Sequence, residues 1–157
     1  MGEISKQGAA VEQIYPYVQI VHLICAIIFL GYIFFDVVIF SRLKSVLGAD
    51  FERVKKAVGS RAIKIMPVCL FTLIITGGMM MSRWVGSANG GYFGTPLQKI
   101  FMLKVTLALI IAVCVAINLS CRAMGRPAPE FLRANIHKIA FVFGFIIVLC
   151  AKLMFVV

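Results

Sequence analysis

Long apolar stretches make up most of this chain, and they restrict the folds that it can adopt. Hydrophobic residues account for 62% of the 157 residues and charged residues for only 14%. Soluble domains are nearer half apolar, whereas an uncharged apolar run of about 20 residues indicates a membrane span. Four such runs with short connections predict an all-α integral membrane protein, a single four-helix bundle with up-down-up-down topology. The predicted spans cover residues 14–40, 62–83, 97–121 and 131–156.

The first span begins beside a pair of aromatic residues. Residues 1–13 are polar, and Tyr15 and Tyr17 follow where the apolar run starts. Tyrosine is enriched where a helix enters the membrane, and proline suits the first turn of a helix because that turn needs no backbone donor. We therefore expect the helix to start close to Pro16.

Positive charge is concentrated after the first and third spans. Eleven of the sixteen Lys and Arg residues lie there, namely Arg42, Lys44, Arg53, Lys55, Lys56, Arg61, Lys64, Arg122, Arg126, Arg133 and Lys138. Because cytoplasmic loops of membrane proteins collect Lys and Arg, this end is predicted to be cytoplasmic and both termini to lie outside. The expected location is the inner membrane of a bacterium. The same placement argues against nucleic-acid binding, despite the net charge of +10.

Residues 41–61 combine these charges with apolar side chains at helical spacing, such as Phe51, Val54 and Val58. That pattern predicts either a basic amphipathic helix on the cytoplasmic membrane surface or a helical extension out of the bilayer.

One histidine, His22, lies well inside the first span. At the helical rise it is about 12 Å from the outer end of its span, and Lys104 is about 10 Å from the outer end of the third span. Ionisable side chains at such a depth are costly and are usually functional. Cys25 follows His22 by three residues and shares its helix face. The second span ends slightly above this layer, at Met79, Met80 and Met81.

The other histidine, His137, enters the membrane from the cytoplasmic side. It is therefore predicted to lie too low to share a metal or a haem iron with His22 within one chain. Asp36 belongs to the same inner layer as His137, Lys64 and Lys138. An ion pair among these residues is expected.

Each candidate residue has a structural and a functional interpretation. His22 is either a neutral histidine hydrogen-bonded between helices or a ligand of haem or metal. Lys104 either extends toward the outer interface or holds a carboxylate, such as a porphyrin propionate, or carries a proton. The three methionines either pack at a helix end or offer thioether sulfur to Cu(I) or haem iron. The cysteines within the spans are expected to be buried and to pack like small apolar residues.

Some positions follow a known pattern. The pattern has a histidine early in span one and a lysine in span three, and His22 and Lys104 (in the run Met102–Leu107) match them. In the last span the pattern begins with Arg and Asn and ends with a basic residue, and Arg133, Asn135 and Lys152 match these positions. With these residues the chain resembles small four-span membrane proteins that include HemJ-type protoporphyrinogen oxidases and CopD-like copper resistance proteins. The resemblance implies a b-type haem or porphyrin site on His22, with Lys104 close by. It is loose, since residues 35–40 lack the proline of the HemJ-type motif.

Three hypotheses follow. The first is a haem- or porphyrin-binding redox protein that passes electrons to quinone or another membrane carrier, with protoporphyrinogen oxidase-like activity on His22 and Lys104 implied by the resemblance. The second is copper transport or resistance, with a Cu(I) site formed by His22, Cys25 and Met79, Met80 or Met81. The third is a structural subunit of a membrane complex, and a homo-oligomer is compatible with all three.

Overall fold

A computed structural model describes residues 2–86 and 89–156, with side chains described from residue 13 onward. Regular structure in these residues is helical, so the predicted all-α class is confirmed. The α-helices are α1 (Gly2–Phe34), α2 (Lys44–Leu47), α3 (Phe51–Met81), α4 (Pro96–Ala123) and α5 (Glu130–Leu153). The bounds of α4 and α5 lie within three residues of the third and fourth predicted spans.

Three helical segments are long and apolar enough to cross a membrane: Gln13–Met81, Pro96–Ala123 and Glu130–Leu153. They indicate a multi-pass membrane protein. The first segment is 69 residues long, and it folds back on itself between α1 and α3, which pack against each other. Large apolar side chains such as Ile27, Phe71 and Val113 are exposed along these helices, as lipid contact requires.

The start of the first helix differs from the prediction. The helix α1 begins at Gly2, so Pro16 lies inside it and not in its first turn. Proline has no backbone N–H, so the carbonyl of Glu12 loses its partner four residues later. One lost hydrogen bond does not end the helix, because the residues on both sides of Pro16 continue the α-helical backbone.

The basic segment after α1 is also organised differently. A π-helical turn, Phe35–Ile39, and a 3₁₀ turn, Phe40–Leu43, lead through the one-turn helix α2 to α3. No single amphipathic helix covers residues 41–61. The rings of Phe40 and Phe51 stack at 5.1 Å and are both buried, which holds the start of α3 against the end of the α1 segment.

Residues 51–61 form the first turns of α3 and continue without a break into the second predicted span. At 31 residues α3 is about 46 Å long, which exceeds a hydrocarbon core of about 30 Å. The surplus length belongs to its charged first turns, where Arg53, Lys55 and Lys56 are exposed.

The long helices pack as antiparallel neighbours. Contacts between α1 and α3 and between α4 and α5 form two hairpins, and α1 also packs on α5. Along the last contact Phe34 meets Phe141, and a Cβ added to Gly144 would overlap the Leu30 side chain. One buried cluster joins all four long helices through Phe29, Ile33, Cys69, Ile111 and Ala140. A second cluster, formed by Val85, Phe101 and Met154, lies toward the end that carries the α3–α4 loop.

The α3–α4 loop is fastened to the start of α4 by local hydrogen bonds. Thr95 and Gln98 form a reciprocal capping box, and Pro96 occupies the first turn, where no backbone donor is needed. Gln98 is only 3% exposed, and its amide also binds the Gly94 N–H and the Asn89 carbonyl. The loop therefore holds a defined position over the second cluster.

Candidate functional site

His22 lies at the contact between α1 and α3. The half-buried ring places Nδ1 2.8 Å from Oγ1 of Thr76, which is itself only 6% exposed. Next to it is Gly77, where an added Cβ would lie 3.4 Å from Cε1 of His22. Because this stretch of α3 carries only a small hydroxyl side chain and a glycine, the imidazole can approach the neighbouring helix closely.

Lys104 lies on α4, and its charge acts on the His22 ring electrostatically. The equal membrane depth of the two residues stays a prediction. The half-buried Lys104 side chain places Nζ 4.4 Å from the centroid of the buried Phe101 ring. Such a contact favours a cation at this position. Among the residues with described side chains, no carboxylate forms an ion pair with Lys104.

Cys25 faces a cysteine that sequence reasoning did not select. Its side chain packs on the first buried cluster, to which Cys69 of α3 belongs. Cys69 is 6% exposed, and both thiols are free. This proximity could have been predicted from the hairpin, because residues at similar distances from the turn near residue 49 face each other across α1 and α3. The same rule pairs His22 with Thr76.

The three methionines point in different directions around the end of α3, as successive residues of a helix must. Met79 is 51% exposed and lines a shallow groove of about 70 Å³ with Ile14, Tyr15 and Val18. Met81 packs instead on the cluster of Val85, Phe101 and Met154. Met80, one turn after Thr76, also lies on the side of α3 that faces α1. The structure therefore does not bring all three sulfurs to His22.

Within the described part of the chain, no group of three or more His, Cys, Asp or Glu side chains is arranged to hold a metal ion.

His137 is at the opposite end of α1. Its Nδ1 lies 2.5 Å from Oδ2 of Asp36, and the Tyr32 ring meets its ring edge to face. The ion pair expected in the inner layer is thus formed by Asp36 and His137, while Lys64 and Lys138 are exposed. Asp36 follows His22 by 14 residues, about 21 Å along a helix, so the two histidines are far apart, as predicted.

The available donor atoms suit a porphyrin, whereas the size of the cavity does not. An imidazole can bind the iron of a haem, and a nearby cation can hold a propionate. Enclosed sites for small molecules usually measure about 300–1,000 Å³. The groove lined by Ile14, Tyr15, Val18 and Met79 measures only about 70 Å³. That groove is too small to enclose a porphyrin, although one chain offers an imidazole and a cation.

Comparisons with protein-family models, curated proteins and solved structures find no match for this chain. The resemblance to HemJ-type and CopD-like proteins therefore rests only on the residues quoted for it above.

Proposed function

We propose that this chain is a four-span protein of a bacterial inner membrane that binds haem or another porphyrin and takes part in redox chemistry. The observation that carries the proposal is the His22 imidazole, held by Thr76 and subject to the charge of Lys104. Within the described part of this apolar helical protein, Lys104 has no acidic partner. Intramembrane ionisable groups of this kind are usually functional.

The proposed orientation is supported by the antiparallel packing of the helices. It brings the α1–α3 connection and the α4–α5 loop to one end of the molecule. These connections and the adjoining turns of α3, α4 and α5 carry the eleven clustered cations. The Arg53–Asp50 pair at 3.8 Å is the one salt bridge that a described member forms. By the positive-inside rule this end is cytoplasmic and both termini are outside.

In this proposal His22 would hold the iron of a haem, and Lys104 would hold a propionate or exchange a proton. A haem would supply one-electron redox chemistry, and the electron acceptor would be a quinone or another carrier in the membrane. The protein contributes a water-poor helical surface, which strengthens the attraction between the Lys104 ammonium and a carboxylate.

Visible spectroscopy of the full chain in mild detergent tests the proposal. We expect a Soret band that shifts on reduction and is lost in His22→Ala, and weaker haem retention in Lys104→Met, which keeps the side-chain length without the charge. His137→Ala is the matched control, since it removes the histidine far from the site. A colourless protein that also fails to bind added haemin would refute the porphyrin proposal and favour the structural-subunit hypothesis.

Catalysis is a narrower proposal with its own test. Anaerobic protein is mixed with protoporphyrinogen and a soluble quinone, and porphyrin fluorescence is followed. Oxidation that depends on His22 and Lys104 supports a protoporphyrinogen oxidase-like activity. If the haem-containing protein leaves the porphyrinogen unoxidised with every quinone tried, the enzymatic role is wrong and electron transfer alone remains.

Copper handling is the second candidate, and the packing of Cys25 on the buried cluster that contains Cys69 is the observation that favours it. Two thiols in one packed cluster are soft ligands that suit Cu(I). Competition with a Cu(I) chelator measures the affinity. Stoichiometric binding that is lost in Cys69→Ser and retained in Cys114→Ser would support this candidate. Equal copper binding in both variants would exclude a site at Cys25 and Cys69.

A further inference from the structure

The hydroxyl of Thr76 determines which nitrogen of His22 carries the ring proton. Oγ1 of Thr76 lies 2.6 Å from the Thr72 carbonyl oxygen and 2.8 Å from Nδ1 of His22. A carbonyl oxygen can only accept a hydrogen bond, and a hydroxyl has a single proton to donate. The short contact with the carbonyl therefore uses the Thr76 proton, because two oxygen lone pairs at that distance would repel each other.

The bond between Thr76 and His22 must then run in the other direction. With its own proton committed to Thr72, Oγ1 of Thr76 accepts, and Nδ1 of His22 donates. A neutral imidazole carries one ring proton, so Nε2 of His22 is left with a free lone pair. The sequence alone does not provide this step, because it depends on two distances measured across the helix pair.

The free nitrogen is also accessible. Among the residues whose side chains the structure describes, Nε2 of His22 has no hydrogen-bond partner, and no buried side-chain nitrogen or oxygen is left unpaired. Nε2 is therefore at the surface of the molecule. The contacts from α3 are on the Nδ1–Cε1 side of the ring, where Thr76 binds Nδ1 and a Cβ added to Gly77 would lie 3.4 Å from Cε1. Ring orientation and proton position are thus both determined by α3.

We infer that Thr76 is a positioning residue that presents Nε2 of His22, and not Nδ1, as the ligand atom for a metal centre. The inference rests on the proposed function for the identity of that centre, the iron of a haem. Histidines that bind metals commonly donate their second ring N–H to a neighbouring acceptor, which sets the tautomer and the direction of the lone pair. Here the acceptor is a threonine hydroxyl whose own proton is held by a backbone carbonyl.

Nitrogen NMR of the cofactor-free protein in detergent tests the proton assignment. The chain has two histidines, so His137→Gln leaves only the His22 signals. We expect a protonated Nδ1 and an unprotonated Nε2 in this background. Thr76→Val, which keeps the side-chain shape without the hydroxyl, should shift the population toward protonated Nε2, and Thr76→Ser should restore the original pattern. A protonated Nε2 before any change at Thr76, or no response to Thr76→Val, would overturn the inference.

The matched control is Thr72→Val. Its hydroxyl binds the Val68 carbonyl at 2.9 Å, whereas the atom that receives the Thr76 proton is the backbone carbonyl of Thr72. The substitution therefore removes a similar hydroxyl one turn away and leaves the His22–Thr76–Thr72 chain intact. We expect the His22 signals of this variant to match those of the parent.

Titration with haemin tests the role of the exposed nitrogen. Loss of a partner that orients a metal-binding histidine usually weakens affinity by about 10- to 100-fold. We expect that loss in Thr76→Val and parent-like affinity in Thr76→Ser and Thr72→Val. If the parent protein does not bind haemin, the proposed function fails and the NMR result alone decides the proton assignment. If haemin binds equally well to Thr76→Val, the positioning role is refuted while the proposed function stands.

Discussion

The contact between Leu30 and Gly144 gives a sharp test of how the two helical hairpins pack. Gly144 is buried on α5, and an alanine Cβ there would overlap Cδ2 of Leu30 on α1. The next nearest atom, Cγ of Leu30, is 3.7 Å away, so the conflict is confined to one methyl group. Gly144→Ala therefore forces either a new Leu30 rotamer or a wider separation of α1 and α5.

The expected cost is the balance of two effects. Overpacking a well-packed contact costs about 1–3 kcal/mol. Replacing glycine by alanine inside a helix stabilises it by roughly 0.5–1 kcal/mol. Gly144→Ala should thus destabilise by about 0–2.5 kcal/mol after both effects. Gly31→Ala is the matched control, because a Cβ at that exposed position meets nothing within 4 Å and only the helical gain remains.

The assay is reversible unfolding in mixed micelles of mild detergent and dodecyl sulfate. The single tryptophan, Trp84, reports tertiary structure through its contact with Phe155 at 5.5 Å. Adding Leu30→Ala should relieve the overlap, so the double variant is expected to be about 1–2 kcal/mol more stable than additivity predicts. Equal effects of Gly31→Ala and Gly144→Ala, or strict additivity with Leu30→Ala, would refute the packing described for α1 and α5.

Three further outcomes follow from described contacts. A double-mutant cycle of Asp36→Asn and His137→Gln should give a coupling of about 1–2 kcal/mol in the free energy of unfolding, because the hydrogen bond is charge-assisted but partly exposed. Additive effects of the two substitutions would show that the pair contributes nothing to stability. Gly77→Val should displace the His22 ring and lower haem retention, whereas Gly78→Val, where a Cβ meets nothing within 4 Å, should leave it unchanged. Gln98→Leu should destabilise by about 1–3 kcal/mol in the same assay, because it leaves the Gly94 N–H and the Asn89 carbonyl without their partner.

The long apolar helices are easier to predict from this sequence than the connections between them. The helices α4 and α5 begin and end within three residues of the third and fourth predicted spans, because each apolar run is bounded by charged or turn-forming residues. The start near Pro16 was wrong because one missing backbone donor does not end a helix that is favoured on both sides. The amphipathic helix over residues 41–61 was wrong because Phe40 and Phe51 stack on each other and close the segment into short turns.

The sequence predicts the depth of the candidate site residues along their helices, but not which side of each helix meets a neighbour. Helical rise is a property of the backbone, so residue counts along α1 and α4 predict that His22 is level with Lys104 and place it far from His137. Counting also placed Asp36 beside His137, where the structure shows their contact. These relations hold however each helix is rotated about its own axis.

Rotation was decided only by tertiary packing. Helices that are apolar on nearly every side give no sequence signal for the face that meets a neighbour, unlike the amphipathic helices of soluble proteins. The packing of α1 on α3 therefore brought Thr76 to His22 and Cys69 into one cluster with Cys25, and it directed Met81 toward the Phe101 cluster. The sequence by itself determined which groups share a layer of the membrane, and the tertiary structure decided which of them touch, because contact depends on helix rotation and rotation depends on side-chain fit.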